Sequence, residues 1–182
     1  MNILVTGGAG YVGSHTVKHL LELGHEVWVY DNLSTGHTGA VPEGRLIVGE
    51  LTDTELLRYV LRGRNIEGVM HFAASALVGE SVSNPAKYYQ NNLVATLSLM
   101  DAMLDCDVSR IVLSSTAATY GAPQESPIRE DAPQVPCNPY GFTKLALERA
   151  LTDFAHAYGW GVAALRYFNA AGAAADGSSR SR

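Results

Sequence analysis

The chain has only two cysteines among its 182 residues, Cys106 and Cys137. They form no C-x-x-C pair, so neither a disulfide framework nor a zinc site of the usual spacing is built from them. Two reduced thiols of a cytosolic protein fit better. No apolar run reaches the roughly 18 residues of a membrane-spanning helix. No basic tract offsets the formal charge of −5, which argues against a nucleic-acid partner. The first apolar run begins one residue after Met1 with no basic leader, so a secretory signal is not expected. His15 and His19 share helical i, i+4 spacing but have no third ligand beside them, so no metal is expected. What remains is a cytoplasmic globular protein without a membrane partner, in keeping with 47% hydrophobic and 17% charged residues.

The apolar residues fall into short runs that alternate with helix-length stretches. Strands are expected at Ile3–Thr6, Glu26–Tyr30, Arg45–Val48, Gly68–Phe72, Arg110–Ser115 and Val162–Tyr167. A helix is expected over Tyr11–Leu23, with an apolar stripe at Val12, Val17, Leu20, Leu21 and Leu23 and a stop at Gly24. Two more are expected over Pro85–Leu104 and Tyr140–Tyr158. Strands that are apolar throughout are buried on both sides. The order therefore predicts an α/β fold, a Rossmann-type doubly wound parallel sheet with helices on both faces. Residues 1–170 form this domain. Residues 171–182, rich in alanine, glycine and serine, read as the cut-off start of a substrate domain, disordered by themselves.

A glycine-rich loop separates the first strand from the first helix. Gly8, Gly10 and Gly13 satisfy G-x-G-x-x-G, and Gly7, Gly10 and Gly13 satisfy G-x-x-G-x-x-G. Such glycines allow a tight turn, close approach of a pyrophosphate, and close helix–strand packing. The free N–H groups of the helix start then face the phosphate charge. Asp31 ends the second strand, 18 residues beyond Gly13. A carboxylate there accepts hydrogen bonds from ribose hydroxyls and repels a 2′-phosphate. The loop from Asn32 to His37 has no lysine or arginine to neutralise one, so the expected cofactor is NAD rather than NADP.

Tyr140 and Lys144 stand at i and i+4 near a helix start, on one face. An ammonium beside a phenol favours the phenolate and makes a general base for a sugar hydroxyl. Ser114, Ser115 and Thr116 follow the fifth strand, where strand ends line the ligand crevice of an open parallel sheet. They serve either as hydroxyl partners of Tyr140 or as capping groups of a turn. Asn91 and Asn92 are poor helix formers inside an expected helix, and either contact the cofactor or face solvent.

The stretches VTGGAGYVGSHT, VYDNLSTG, HFAA, VGESV, YYQNN, LSSTAATYG, PYGFTK and LRYFNAAGA span nearly the whole chain. Together they resemble the extended short-chain dehydrogenase/reductase family. Within it they are most similar to the sugar-nucleotide 4-epimerases that interconvert UDP-glucose and UDP-galactose. The resemblance implies transient NAD-dependent oxidation at the sugar C4. It places Gly7, Gly10, Tyr11, Val12 and Gly13 at the cofactor pyrophosphate. Asp31, Asn32, Leu33, Ser34, Thr35 and Gly36 would surround the adenosine ribose, and Glu50 and Leu51 the adenine. Phe72, Ala73, Ala74, Ser75, Ala76 and Asn91 would line the dinucleotide. Thr116, Tyr140 and Lys144 would form the catalytic trio, in reach of cofactor and substrate. Phe168 would pack near the nicotinamide, and Asn169 would touch the substrate diphosphate.

Departures from the family pattern accompany the match. Ser75 and Ala76 stand where the family often has a lysine, and Glu50 where it often has aspartate. Thr116 is followed by Ala117 and Ala118, where related 4,6-dehydratases carry an Asp-Glu acid/base pair. That difference favours epimerisation over dehydration. Another nucleotide-sugar epimerase or a 4,6-dehydratase, and a non-catalytic NAD-binding fragment, remain the alternatives. The resemblance covers about the N-terminal half of a family member. The isolated chain is thus expected to turn over poorly and to expose apolar sheet surface. A homodimer is compatible with the resemblance.

Overall fold

The computed structural model describes residues 1–174. It holds six strands in one parallel sheet: β1 Asn2–Thr6, β2 Glu26–Asp31, β3 Leu46–Val48, β4 Gly68–His71, β5 Arg110–Thr116 and β6 Gly161–Tyr167. Their spatial order is β3-β2-β1-β4-β5-β6. The chain runs outward from β1 in one direction, returns, and then runs outward in the other. Between β1 and β4 the connections therefore leave on opposite sides, and a crevice opens at the carboxyl ends of the strands.

Alternation along β1 divides the core in two. Ile3 and Val5 join Val17, Val27 and Val29 on one side, beneath helix α1 (Tyr11–Glu22). Leu4 joins the larger cluster on the other side. That cluster packs α2 (Thr54–Gly63), α5 (Ala95–Leu104) and α6 (Pro139–Tyr158) through Leu57, Leu61, Leu99, Met103, Leu147 and Leu151. Helices thus lie on both faces, as the strand pattern predicts, but unequally. β6 is one of the two outer strands, with Val162 36% and Leu165 43% exposed.

The helix ends follow local chemistry. Gly24, at a φ of +80°, ends α1: its N–H donates to the Leu21 carbonyl and that of His25 to the Leu20 carbonyl. Asn138 opens α6 by accepting the Gly141 N–H at 2.8 Å, with Pro139 in the first turn. Gly159 closes it in the left-handed conformation. Two helices are absent from the expected set. Asp53 caps α2 by accepting the Leu56 N–H at 3.0 Å, and Leu57, Val60 and Leu61 are its buried residues. α3 (Val78–Ser83) is short. The long helix expected from Pro85 is divided: α4 (Pro85–Tyr88), a π-helical segment over Tyr89–Val94, then α5. The division falls at Asn91 and Asn92. Residues 171–174 include Gly172, whose carbonyl accepts a hydrogen bond from Tyr11 Oη at 2.9 Å. The rest of the expected disordered tail lies outside the described residues.

The glycine loop shows which reading of its pattern is demanded by sterics. A Cβ on Gly7 (φ +72°) would stand 2.4 Å from the Ala73 backbone nitrogen, and one on Gly13 2.2 Å from the Gly7 carbonyl oxygen. Gly8 instead faces the Val29 side chain. A Cβ on Gly10 meets only the Gly7 oxygen, at 3.3 Å. Gly13→Ala should therefore cost about 3 kcal/mol or more of folding stability, since the obstructing atom is backbone. Gly10→Ala should cost far less. Urea midpoints of the two variants check this, and equal losses would contradict the geometry.

Candidate active site

The crevice at the strand ends is a cleft of about 600 Å³. One end is built around Asp31, which is 8% exposed. Its Oδ2 accepts the Ala9 N–H at 3.0 Å and its Oδ1 the Leu33 N–H at 2.8 Å. The carboxylate thereby fastens the glycine loop to the loop after β2 and keeps acceptor capacity toward the cleft. Tyr30 Oη donates to the Glu50 carbonyl at 2.9 Å, and Asn32 Nδ2 reaches the Glu50 carboxylate at 3.1 Å. These bonds bring the segment after β3 alongside the segment after β2.

The middle of the cleft is the strand-end segment Phe72–Ala76. Asn92 holds it by a two-way amide pairing with Ser75: Oδ1 accepts the Ser75 N–H at 2.8 Å and Nδ2 donates to its carbonyl at 3.0 Å. Asn91 Nδ2 donates to Ser75 Oγ at 3.2 Å. Asn92 is fully buried, so it faces neither solvent nor cleft, whereas Asn91 lines the cleft. The π-helical segment presents both amides to the same loop. Below them, Thr96 Oγ1 donates to the Asn92 carbonyl at 2.6 Å. Its only proton is thus committed, so His71 Nε2–H donates to Thr96 at 2.8 Å. His71 Nδ1 then accepts from Thr6 Oγ1 at 2.6 Å. Burial, followed by the charge of Lys144, pushes the His71 pKa down to about 3, so the ring is neutral.

The far end carries Thr116, Tyr140 and Lys144, all lining the cleft. β5 delivers Thr116, whose hydroxyl caps the 3-10 turn Ala117–Tyr120 by accepting the Ala118 N–H at 3.1 Å. The first turns of α6 deliver Tyr140 and Lys144. Lys144 Nζ donates to the Ser114 carbonyl at 2.8 Å. Burial lowers its pKa to about 8. Burial also raises the Tyr140 phenol, and a hydrogen bond with Thr116 pulls it partly back. The lowering expected from Lys144 is therefore not the leading influence on this phenol; desolvation is. Both hydroxyl readings of the strand end apply to Thr116, which caps a turn and meets Tyr140.

Most residues expected at the site meet in this cleft. They are Gly7, Gly10, Tyr11, Val12 and Gly13; Asp31, Asn32, Ser34 and Thr35; Glu50 and Leu51; Phe72 to Ala76 and Asn91; and Phe168 beside the trio. Leu33, Gly36 and Asn169 do not line it. Leu33 takes a positive φ of 60° in the loop after β2, Gly36 packs against Ala9, and Asn169 is an exposed residue between two that do line it. Glu80, Lys87 and Tyr167 line the cleft without having been expected there. Lys87 Nζ pairs with Glu80 Oε1 at 2.6 Å. The signal available for Tyr167 was its place next to Phe168 at a strand end, and its register partner is Thr116. His15 packs edge-on against Tyr11, and His19 lies 3.7 Å from Glu22.

A glycine turn with no room for a Cβ, a carboxylate at the end of β2 and a Thr-Tyr-Lys trio share one cleft in a six-stranded parallel sheet. They define a Rossmann-type fold with a polar cleft at the carboxyl ends of its strands. The chain belongs to the NAD dependent epimerase/dehydratase family, whose model matches residues 3–182. It is 52% identical over 177 residues to a UDP-glucose 4-epimerase of Halalkalibacterium halodurans, covering 97% of this chain and 53% of that relative. Among solved structures it resembles UDP-glucose 4-epimerase from Brucella ovis in complex with NAD, at TM-score 0.95 and 50% identity, covering 98% of this chain and 55% of that one. It also resembles UDP-glucose 4-epimerase from Bifidobacterium longum in complex with NAD+ and UDP, at TM-score 0.94 and 38% identity, covering 99% and 57%. The chain spans about half the length of these relatives.

The buried ammonium makes a pH-dependent contribution. Between pH 8 and 10.5 the unfolded chain keeps the Lys144 proton and the folded chain gives it up, so folding becomes more favourable as pH rises through that window. Relative to a Lys144→Met variant, the native chain should gain stability from pH 7.5 to pH 10. Urea midpoints of both at each pH test it, and a constant or widening deficit would contradict the burial of a charged amine.

Proposed function

We propose that this chain is the NAD-binding half of a UDP-glucose 4-epimerase, interconverting UDP-glucose and UDP-galactose in galactose metabolism. The observation that carries the reading is the placement of Thr116, Tyr140 and Lys144 at one end of a cleft whose other end is Gly7 and Asp31. The residues fit a dinucleotide. Gly7 and Gly13 leave a backbone cradle that no Cβ fits, and Asp31 suits ribose hydroxyls. When bound, NAD would supply reversible hydride acceptance for the oxidation and reduction of C4. The protein supplies the rest. Gly7 to Gly13 hold the pyrophosphate, Phe72 to Ala76 follow the dinucleotide, and Phe168 packs near the nicotinamide. Tyr140 removes the proton of the 4-hydroxyl and Thr116 holds that oxygen. Lys144 stabilises the phenolate. Asn169 meets the substrate diphosphate.

Epimerisation is favoured over 4,6-dehydration by the turn that follows Thr116. Ala117 and Ala118 begin it, and neither side chain transfers a proton. Two free cysteines, Cys106 half-buried and Cys137 exposed, support a cytoplasmic setting. No helix among the described residues is long and apolar enough to cross a membrane. A second copy of the chain is the proposed assembly partner.

The role of Tyr140 is tested in the full-length protein with UDP-galactose as substrate. Tyr140→Phe should lower turnover roughly a hundred- to ten-thousand-fold, the share general acid–base catalysis usually carries. Its affinity for NAD should change little, because the ring remains. Near-native turnover would remove Tyr140 from the reaction.

Cofactor choice is tested by titration. Asp31 has no lysine or arginine among Asn32 to His37 to neutralise a 2′-phosphate. NADP should bind at least about tenfold more weakly than NAD, a difference of about 1.4 kcal/mol. Equal or tighter binding of NADP would overturn the assignment.

A further inference from the structure

Tyr140, Lys144 and Glu148 succeed one another at i, i+4 and i+8 along one face of α6. The first two belong to the proposed reaction. Glu148, 8% exposed, has no part in it. Its carboxylate accepts a hydrogen bond from Ser115 Oγ and another from Gln134 Nε2 at 3.0 Å. It also receives the guanidinium fork of Arg166, with Nε 3.2 Å from Oε1 and Nη2 2.8 Å from Oε2. The remaining guanidinium nitrogen, Nη1, donates to Tyr120 Oη at 2.6 Å and to the Glu130 carbonyl at 2.9 Å. Arg166 and Ser115 are register partners on β6 and β5, so the fork bridges two strands and the helix above them.

Thr116 lies between the two arms of this network. The residue before it, Ser115, bonds the carboxylate. The turn after it, capped by Thr116 itself, ends in Tyr120, which bonds the guanidinium. Both flanks of Thr116 and the helix that bears Tyr140 and Lys144 therefore converge on one ion pair. Burying two charges is an inefficient way to gain stability, since well-packed apolar replacements are often as good or better. A forked, charge-assisted pair does provide fixed geometry.

We propose that Glu148 and Arg166 are a positioning pair, a largely buried brace that keeps Thr116 in register with Tyr140 and Lys144. This rests on the reading of the trio given under the proposed function. Neither residue touches the reacting atoms; the pair acts through Ser115, Tyr120 and α6. A small misplacement of an orienting hydroxyl is enough to cost turnover heavily.

The test uses the full-length protein, with NAD affinity, UDP-galactose turnover against pH, and thermal midpoint measured on each variant. Glu148→Gln should lower kcat roughly ten- to hundredfold, with KM and NAD affinity nearly unchanged. It should also move the rising limb of the kcat–pH profile upward, because Tyr140 loses the Thr116 hydrogen bond that favours its phenolate. Arg166→Lys keeps the charge but not the fork and should give the same upward shift. A merely structural pair would lower the thermal midpoint and leave the profile in place, and that result overturns the proposal. Should Glu148→Gln not fold, Ser115→Ala removes one bond to the carboxylate and keeps the ion pair. It should shift the limb the same way by less, and an unmoved limb again overturns the proposal. Tyr140→Phe separates the failures. Undiminished turnover there sinks the trio and the positioning pair with it. An inactive Tyr140→Phe beside a Glu148→Gln of native kcat and profile sinks the positioning pair alone.

Discussion

A contact between two backbones, with no room for one side-chain carbon, sets the shape of the cleft. Gly7 turns out of β1 at a φ of +72° against Ala73, the second residue beyond β4. β1 and β4 are neighbours in the sheet, so their exits must pass each other at close range. The carbonyl of Gly7 then stands where a Cβ of Gly13 would go, which sets the helix start directly on the turn. The first turn of α1 consequently aims its N–H groups into the crevice. Asp31 extends the same arrangement sideways, because its hold on the Ala9 N–H fixes the turn to the end of β2. Three strand ends are thereby held together by one glycine contact and one carboxylate.

The cleft wall on the β4 side is held by buried polar groups rather than by packing alone. Asn92 reproduces, with its side chain, the donor and acceptor of a neighbouring strand and offers them to Ser75. A segment that has left the sheet is thus hydrogen-bonded as if still inside it. The π-helical turn allows this, since the extra residue brings both Asn91 and Asn92 to one loop. The neutral His71 continues the chain of bonds from Asn92 through Thr96 to Thr6 on β1. A charged histidine would repel Lys144 in the same low-dielectric interior.

The sheet and the ends of the cleft were legible because they rest on short-range rules. Continuous apolar runs mark buried parallel strands, and glycines mark turns with no space for a side chain. Asp31 is recognisable because its distance from the glycines is set by one helix and one strand. Helix α2 was equally available, with Asp53 as its cap and Leu56, Leu57, Val60 and Leu61 at helical spacing. It escaped because its apolar residues are interrupted by charges. The role of Asn92 was not legible, since nothing in Asn-Asn says which amide turns inward until the π-helical turn is formed. Glu148, Arg166 and Tyr120 were not legible for a different reason. They lie on three elements and meet only after α6 has folded over β5 and β6.

The electrostatics of the trio make its chemistry conditional on what fills the cleft. Burial raises the Tyr140 phenol and lowers the Lys144 ammonium, so desolvation draws the two toward a neutral pair. A neutral phenol is no base. The Thr116 hydrogen bond opposes burial by favouring the phenolate, and so does positive charge close to the phenol, whether the Lys144 ammonium of the proposed reaction or a charge brought by what fills the cleft. In the proposed reaction the oxidised nicotinamide brings such a charge, and only while it is bound. The share of Tyr140 present as phenolate would then be larger with the oxidised cofactor bound than with the reduced one. The same protein groups can therefore take a proton in one half of the cycle and return it in the other. For that alternation to work the hydroxyl of Thr116 must stay fixed while the charge beside it changes, which is why a rigid attachment on both of its flanks matters more here than the stability the attachment provides.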